Sequence, residues 1–171
     1  IDTIHFYKYY FYILISLHKY IVIMGGCIAK LAKITIMPPA PRAFTELTSA
    51  EVRQIIIDTM KIDPKQIKLA DAKYGAYDVE CLRKFLEYDV ENNNVYTEES
   101  FDCDDFSTGL LAQERAWYAR AGTKRASTFG MVWGDIRSKD TDTEPSPHSL
   151  NFLIDNNKTI WLIEPQTDRI F

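Results

Sequence analysis

A cysteine surrounded by acidic residues, in Phe101-Asp102-Cys103-Asp104-Asp105-Phe106, is the stretch of this chain best suited to chemistry. Cys103 stands at the start of the longest amphipathic helix that the sequence predicts, over residues 103–119. The unpaired N–H groups and the dipole of a helix N-terminus favour a thiolate, whereas neighbouring carboxylates oppose ionisation of the thiol. We therefore expect a cation near Cys103 that offsets the charges of Asp102, Asp104 and Asp105.

A second informative stretch, residues 148–171, predicts a β-hairpin. Apolar residues alternate from His148 to Ile154, and another extended run ends at Glu164. Asn156-Asn157 supplies turn chemistry between the two runs. A three-residue loop at 155–157 places His148 directly opposite Glu164, and a two-residue turn at Asn156-Asn157 makes them diagonal neighbours. Both registers bring an imidazole and a carboxylate together on the core face.

Cys103, His148 and Glu164 have the residue types of a nucleophilic triad. A carboxylate selects the tautomer of an imidazole and stabilises imidazolium, which in turn stabilises a thiolate. A lone histidine on an apolar face is more often structural, and the carboxylate partner is what favours a functional His148. The sequence therefore predicts a Cys-His-acid arrangement, provided that the fold brings the helix start to the hairpin.

The other elements predict an α+β domain that positions these groups. Thr48 and Glu51 form a capping-box pattern before apolar residues at helical spacing, so we expect a helix over 49–60. Asp78 is the expected N-cap of a second helix. The remaining predicted elements are a short strand over 66–70, a turn at 92–94, an extended segment over 95–100, a buried strand over 129–136 and a surface loop over 138–147.

We divide the chain into an apolar leader or extension over 1–24, a linker over 25–46 and a compact domain over 47–171. The apolar run in 1–24 is too short to span a bilayer, so it is a translated leader, an interfacial anchor or a structural element. Gly25 and Cys27 are candidates for double lipidation, although Ala29 stands where the myristoylation pattern requires Ser or Thr. Membrane association is expected only through this N-terminal region.

The composition bears on partners and location. The formal net charge is −4 and the pI about 5.4, so no nucleic acid is expected as a partner, because phosphate recognition needs a concentrated basic surface. The three cysteines are irregularly spaced and lack a C-x-x-C pair, which disfavours zinc and a disulfide framework. A reducing, intracellular compartment with at least one free thiol is the favoured location.

The chain resembles the papain-like cysteine protease domain of the fairy-ring mushroom agglutinin type, the agglutinin C-terminal domain family, which has phage-type relatives. The resemblance is carried by Phe101–Phe106, by His148-Ser-Leu-Asn151 and by Trp161-Leu-Ile-Glu-Pro-Gln166. It implies a papain-like fold in which the nucleophile-bearing helix packs on a small antiparallel sheet. It also implies a calcium-dependent cysteine peptidase, a hydrolase in which Cys103 is the nucleophile, His148 the general base and Glu164 the orienting acid.

The calcium that the resemblance implies fits the surroundings of Cys103. Carboxylate oxygens of the kind that Asp102, Asp104 and Asp105 supply are the hard ligands that Ca²⁺ takes. The alternative is that these carboxylates only stabilise a helix N-terminus.

Two departures from the family pattern affect what can be transferred. Papain-type enzymes place an oxyanion-hole glutamine six residues before the nucleophile, where this chain has Thr97. Gln166 is the substitute donor that we consider, beside the backbone N–H of Cys103. The agglutinin also carries a sugar-binding β-trefoil, for which 171 residues leave no room, so no lectin function is expected.

Two hypotheses follow. The first is a calcium-dependent cysteine peptidase that acts on a protein or peptide substrate through a thioester, with a transglutaminase-like acyl transferase as a variant. The second is a non-catalytic structural or binding module with the same fold. A homodimer is compatible with both. The two hypotheses differ in whether Cys103, His148 and Glu164 converge.

Overall fold

The computed structural model of the protein describes residues 37–136 and 146–171, which belong to one compact unit. The segment over 1–24, the lipidation candidates Gly25 and Cys27, and most of the loop expected over 138–147 lie outside the described residues. The helices are α1 (Ser49–Met60), α2 (Val79–Leu86) and α3 (Cys103–Ala119). The strands are β1 (Thr45–Thr48), β2 (Lys73–Ala76), β3 (Ala126–Ser127), β4 (Phe129–Ile136), β5 (Ser146–Ile154), β6 (Ile160–Glu164) and β7 (Arg169–Ile170).

The strands form two sheets. In the first, β2 lies between β1, to which it is antiparallel, and β3, to which it is parallel. The second is a four-stranded antiparallel sheet in the order β4-β5-β6-β7. The protein is therefore a mixed helix and sheet fold with antiparallel pairing, which confirms the α+β class expected from the sequence.

The three helices begin where the capping residues predict. The Thr48 hydroxyl accepts a hydrogen bond from the amide of Glu51, and the Glu51 carboxylate accepts one from the amide of Thr48 at 2.8 Å, so the capping box is present. Asp78 caps α2 by accepting from the amide of Glu80 at 2.8 Å. Because these side chains satisfy N–H groups that have no partner inside a helix, they define its first turn.

The first sheet was not predicted correctly. The strand expected over 66–70 is absent, and the chain pairs instead at Lys73–Ala76. Tyr74, Gly75 and Ala76 are consecutive buried residues, so this central strand lacks the apolar-polar alternation by which half-buried strands are identified. The Tyr118 hydroxyl donates to the carbonyl oxygen of Gly75 and occupies the space that a side chain at Gly75 would need.

The segment over 95–100 is likewise not an extended run. The amides of Ser100 and Phe101 both donate to the carbonyl oxygen of Thr97, and Thr97 pairs with Phe101 in an isolated bridge. The segment therefore folds back on itself in a tight turn immediately before α3.

The C-terminal hairpin is present, but its register differs by two residues from the first register considered. Phe152 pairs with Leu162 and Ile154 with Ile160, whereas a loop at 155–157 would have paired Phe152 with Ile160. The cause is Asp155, whose carboxylate accepts hydrogen bonds from the amides of Asn157 and Thr159, both at 2.9 Å. These bonds start the turn at Asp155 and move the loop toward the C-terminus.

Both faces of β5 are buried, although the sequence predicted only one core face. Leu153 packs in a cluster with Leu110 and Trp117 of α3. Ile154, one residue on, belongs to a second cluster with Val52 of α1. Strand β5 is thus a central layer between two cores, and its odd-numbered residues face α3 because side chains alternate along a strand.

Strand β4 is an edge strand and is only half buried, which corrects the expectation of a buried strand over 129–136. Phe129 is 2 % exposed, whereas Met131 and Trp133 are 40 % and 58 % exposed. These three residues share one face of β4 by alternation. The Thr108 hydroxyl of α3 lies 3.9 Å from the Met131 sulfur, so the face that carries Trp133 is the one on which α3 packs.

The compact unit starts before residue 47. The Trp117 indole donates a hydrogen bond to the carbonyl oxygen of Pro38 at 3.0 Å. The Phe44 ring packs edge-on against Tyr118, and β1 begins at Thr45. The second half of the segment interpreted as a linker is therefore part of the folded unit. Among the described residues, no helix has the length and apolar character that a bilayer span needs.

Candidate functional site

Cys103 is the first residue of α3, as expected, and Asp102 is its N-cap. The Asp102 carboxylate accepts a hydrogen bond from the amide of Asp104 at 3.4 Å. The Asp105 carboxylate turns back and accepts from the amide of Asp102 at 3.2 Å. These reciprocal bonds are a capping box built from two aspartates. One oxygen of Asp102 and one of Asp105 therefore serve the helix backbone.

The carboxylates do not all converge on the thiol. One ligand atom each from Asp102, Cys103 and Asp104 lies within 4.8 Å of the others, whereas Asp105 is outside this group. The close carboxylate of Asp102 raises the pKa of Asp104, because two like charges in one place disfavour ionisation. A cation bound between Asp102 and Asp104 would relieve that repulsion.

His148 and Glu164 are in contact, as the hairpin pattern predicted. The His148 Nε2 atom lies 2.7 Å from Glu164 Oε2, and the two side chains are 25 % and 19 % exposed. Shifting the register by two residues keeps a side chain on its face, whereas a shift by one residue moves it to the other face. The predicted contact is therefore present although the predicted register was not.

Gln166 lies in the turn that follows β6. Its backbone N–H donates to the second carboxylate oxygen of Glu164 at 3.3 Å. Both oxygens of Glu164 thus have partners, one on His148 and one on Gln166. The expected role of the Gln166 side chain as a substitute oxyanion donor stays a prediction.

The structure does not join Cys103 to the His148–Glu164 pair by a hydrogen bond among the described residues. Asn151 donates from its side chain to the Ser107 carbonyl oxygen of α3 at 2.9 Å, so the odd-numbered residues of β5 face the helix that bears Cys103. Pairing of β4 with β5 is regular from Phe129 to Ile136. Alternation therefore assigns His148 to the face opposite α3.

A buried polar group on α3 was missed from the sequence. Glu114 is fully buried and accepts hydrogen bonds from the Tyr77 hydroxyl and the Ser127 hydroxyl, both at 2.7 Å. Burial raises the pKa of Glu114 to about 7, because a carboxylate is costly to desolvate. The available signal was its spacing, four residues after Leu110 and three before Trp117, on the apolar stripe of α3.

Two solved structures share the fold, and one of them is described as a lectin. One, the PSL1a-E64 complex, aligns with a TM-score of 0.61 and 18 % identity over 73 % of this chain and 46 % of the other. Another, Polyporus squamosus lectin bound to the human-type influenza-binding epitope Neu5Acα2-6Galβ1-4GlcNAc, aligns with a TM-score of 0.59 and 19 % identity. That alignment covers 74 % of this chain and 45 % of the lectin. The chain thus spans less than half of each structure that it resembles.

No match was found among curated proteins. A family model described as Agglutinin C-terminal matches residues 79–170, which is more than half of the chain. The matched residues include α2, α3 and all four strands of the second sheet.

These findings correct the functional prediction. The family model is described as an agglutinin C-terminal region, and one structural neighbour is described as a lectin bound to a glycan epitope. The predicted calcium-dependent cysteine peptidase, and with it the hydrolase and acyl-transferase variants, is therefore wrong by these comparisons, and the alternative of a non-catalytic binding module is better supported. The chain belongs to the agglutinin C-terminal family.

Proposed function

We propose that this chain is a non-catalytic binding module. Two findings support the proposal together: its relatives are agglutinins and lectins, and Cys103 has no hydrogen bond to His148 among the described residues. The observation that carries it is the match to agglutinins and lectins. The His148–Glu164 contact at 2.7 Å involves only the Nε2 atom of the imidazole, so the other ring nitrogen can serve a bound ligand.

The surface that we assign to the ligand lies on the face of the four-stranded sheet that α3 covers in part. Trp133 exposes 58 % of its surface there, beside Met131. An exposed indole offers an apolar face for the C–H side of a sugar ring and an N–H donor for its hydroxyl groups. Asp102 and Asp104 at the start of α3 are acceptors for further hydroxyl groups. This chemistry favours a carbohydrate, the ligand class that the lectin neighbour is described as binding.

We also propose that Asp102 and Asp104 bind Ca²⁺. Their oxygens converge, and their repulsion raises the pKa of Asp104, which are the conditions that a hard cation would relieve. Asp105 is the weaker candidate ligand because its carboxylate already accepts a hydrogen bond from the helix cap. Cys103 is a soft ligand and adds little affinity for Ca²⁺.

Three finer expectations stay proposals. The papain-like arrangement rests on α3, which starts at a cysteine and packs on an antiparallel sheet. A reducing compartment rests on Cys81 and Cys103, which are free thiols. A protein ligand, or a second copy of this chain, is the competing class of partner for the same module.

Glycan-array binding and calorimetry with Neu5Acα2-6Galβ1-4GlcNAc test the proposal on the full chain, with and without Ca²⁺. We expect Trp133→Ala to weaken glycan binding at least tenfold. Phe171→Ala is the matched control, because Phe171 is an equally exposed aromatic residue, 56 % exposed, at the opposite end of the sheet order.

Two results would overturn the proposal. One is equal glycan binding by wild type and Trp133→Ala, or none by either. The other is Ca²⁺-dependent cleavage of a denatured protein substrate by wild type that is lost in Cys103→Ala, because a non-catalytic module cannot cleave.

A further inference from the structure

Two aspartates that are distant in sequence meet beside the turn between β6 and β7. Asp89 follows α2, and Asp168 ends the turn that leads into β7. Both line one cavity of about 590 Å³. The two carboxyl groups are close enough to share a hydrogen bond when one is protonated, and burial, reinforced by Asp89, raises the pKa of Asp168 to about 7.

When both carboxyl groups are ionised, each has an oxygen without a hydrogen-bond partner in the protein. Asp89 is only 6 % exposed, and its Oδ2 atom is buried without a hydrogen-bond partner. Asp168 Oδ1 is in the same condition. Unpartnered buried carboxylate oxygens are costly, and a native protein usually satisfies them.

No Lys or Arg within the described residues forms an ion pair with Asp89 or Asp168. Arg83 borders an adjoining cavity with Asp168, but its guanidinium bonds to the Glu80 carboxylate at 3.0 Å. Arg169 is adjacent to Asp168 in the chain, and its guanidinium lies over the Phe171 ring. The charge of the pair is therefore not neutralised by this part of the chain.

The surroundings of the pair are ordered by contacts of their own. Asp89 Oδ1 accepts from the amide of Glu91 at 3.2 Å, and the Asn92 side-chain amide donates to Asp168 Oδ2. Glu91 in turn accepts from the Gln113 side chain of α3 at 2.7 Å. Asp168 has a positive φ of 55° at the end of the turn, a conformation that aspartate adopts more readily than most residues other than glycine.

We propose that Asp89 and Asp168, with the side-chain carbonyl of Asn92, bind one divalent cation of the Ca²⁺ class. The donors are all oxygen, which suits Ca²⁺ rather than the metals that prefer nitrogen or sulfur. Water in the open cavity completes the six to eight ligands that Ca²⁺ takes. The site is separate from Asp102 and Asp104.

A bound cation would join two segments. It would tie the segment after α2 to the turn that also carries Gln166, whose amide bonds to Glu164. A bound cation would thereby fix the turn that positions the Glu164 carboxylate beside His148.

Terbium luminescence tests the site, because Tyr88 lines the same cavity and can transfer excitation energy to a bound Tb³⁺ ion. Tyr96 lies near Asp102, so the Tyr88-sensitised signal is the part of the luminescence that Tyr88→Phe removes. The full chain is titrated with Tb³⁺ and then with Ca²⁺ as competitor, and its melting temperature is measured with and without Ca²⁺. We expect Asp168→Asn to weaken Tb³⁺ binding at least tenfold and to remove most of the Ca²⁺-dependent rise in melting temperature.

Asp71→Asn is the matched control, because Asp71 is an exposed carboxylate outside both acidic clusters, and it should leave Tb³⁺ binding unchanged. Asp104→Asn removes only the contribution of the other proposed site, and the Asp168-dependent signal should remain. If the Asp89→Asn variant fails to fold, the Asp168→Asn variant still tests the site, because Asp168 is only half-buried. A wild type with no Tyr88-sensitised Tb³⁺ signal, or a signal lost in Asp104→Asn and retained in Asp168→Asn, would overturn the proposal. So would an Asp168→Asn variant that melts higher than wild type at pH 7 while Ca²⁺ leaves wild type unchanged, since the pair would then hold only a proton.

Discussion

The two acidic clusters of this protein differ in what their carboxylates are bound to. At the start of α3, Asp102 and Asp105 accept hydrogen bonds from backbone amides and stand at the surface end of a helix. At Asp89 and Asp168, one oxygen of each residue is buried without a partner. The first cluster is easily seen because its aspartates are neighbours in the sequence. The second is the stronger candidate for a cation, because its carboxylate oxygens are buried and lack hydrogen-bond partners. Two unpartnered oxygens on neighbouring carboxylates, rather than the number of acids in a stretch of sequence, favour a cation, whereas the single unpartnered oxygen of Glu114 is neutralised by a proton.

The largest effect should come from Glu114, a buried carboxylate that a proton rather than a cation neutralises. Its pKa of about 7 lies above the ordinary value of 4.5. Between these values the folded state retains a proton that the unfolded state releases, so stability falls as pH rises and levels off above about 7. We expect a loss on the order of 3 kcal/mol across the window.

Glu114→Gln should remove this part of the pH dependence and be more stable than wild type at pH 8. Urea unfolding of both proteins at pH 5 and pH 8 measures the difference. Identical pH slopes in the two proteins would show that Glu114 does not hold the proton.

The next effect tests whether the helix-start cluster is mainly a cap. Asp102→Ala should lower the free energy of unfolding by about 1 kcal/mol in the presence of EDTA, because the amide of Asp104 loses its acceptor. Asp102→Ser is the matched control, since serine also caps and should retain most of the stability. If the alanine variant loses stability only when Ca²⁺ is present, cation binding and not capping is the role of Asp102.

The Gly109→Ala variant separates protein stability from cation binding at Asp89 and Asp168. A side chain at Gly109 would meet the Glu91 carboxylate at 2.5 Å and would displace it from Gln113. Alanine is favoured over glycine in a helix by about 1 kcal/mol, which offsets the lost contact, so the melting temperature should change little. The Tyr88-sensitised Tb³⁺ affinity should nonetheless fall several-fold, because the Asp89–Asn92 segment is held by Glu91.

Gly134→Ala is the control, as nothing lies within 4 Å of the added methyl group. Unchanged Tb³⁺ affinity in Gly109→Ala would show that the Glu91 anchor does not order the site.

The smallest effect concerns Asp104. Since the neighbouring Asp102 raises its pKa, removal of one charge in Asp104→Asn should raise the melting temperature slightly at low ionic strength. The gain should disappear at high salt, where exposed charges are screened. A fall in melting temperature at low salt would mean that Asp104 stabilises the helix N-terminus more than it repels Asp102.

Local patterns in the sequence predicted the helices well. The bounds of α1 and α3 agree with expectation because Thr48 and Asp102 cap them and apolar residues repeat at helical spacing. Strand β2 could not be found, because Gly75 is buried between two strands and its neighbours show no alternation. Pairing between distant segments leaves little trace in a short window of sequence.

The candidate sites also differ in whether a local sequence pattern could predict them. The His148–Glu164 contact was predictable because a hairpin joins residues that are close in sequence. The meeting of Asp89 with Asp168 was not, because it depends on how the turn after β6 packs near the end of α2. The functional class also lay beyond local patterns, since the types and spacing of a few residues do not show which ligand or reaction a fold serves.

The Asp155 turn has a consequence for how relatives of this chain can diverge. Asp155 sets where β5 stops and β6 begins, and the loop between them can lengthen or shorten during evolution. A change by two residues in the pairing preserves which side chains face each core, whereas a change by one exchanges the faces of the whole strand. Insertions that shift this pairing by an even number should therefore accumulate among relatives, and odd shifts should be found only with a compensating bulge.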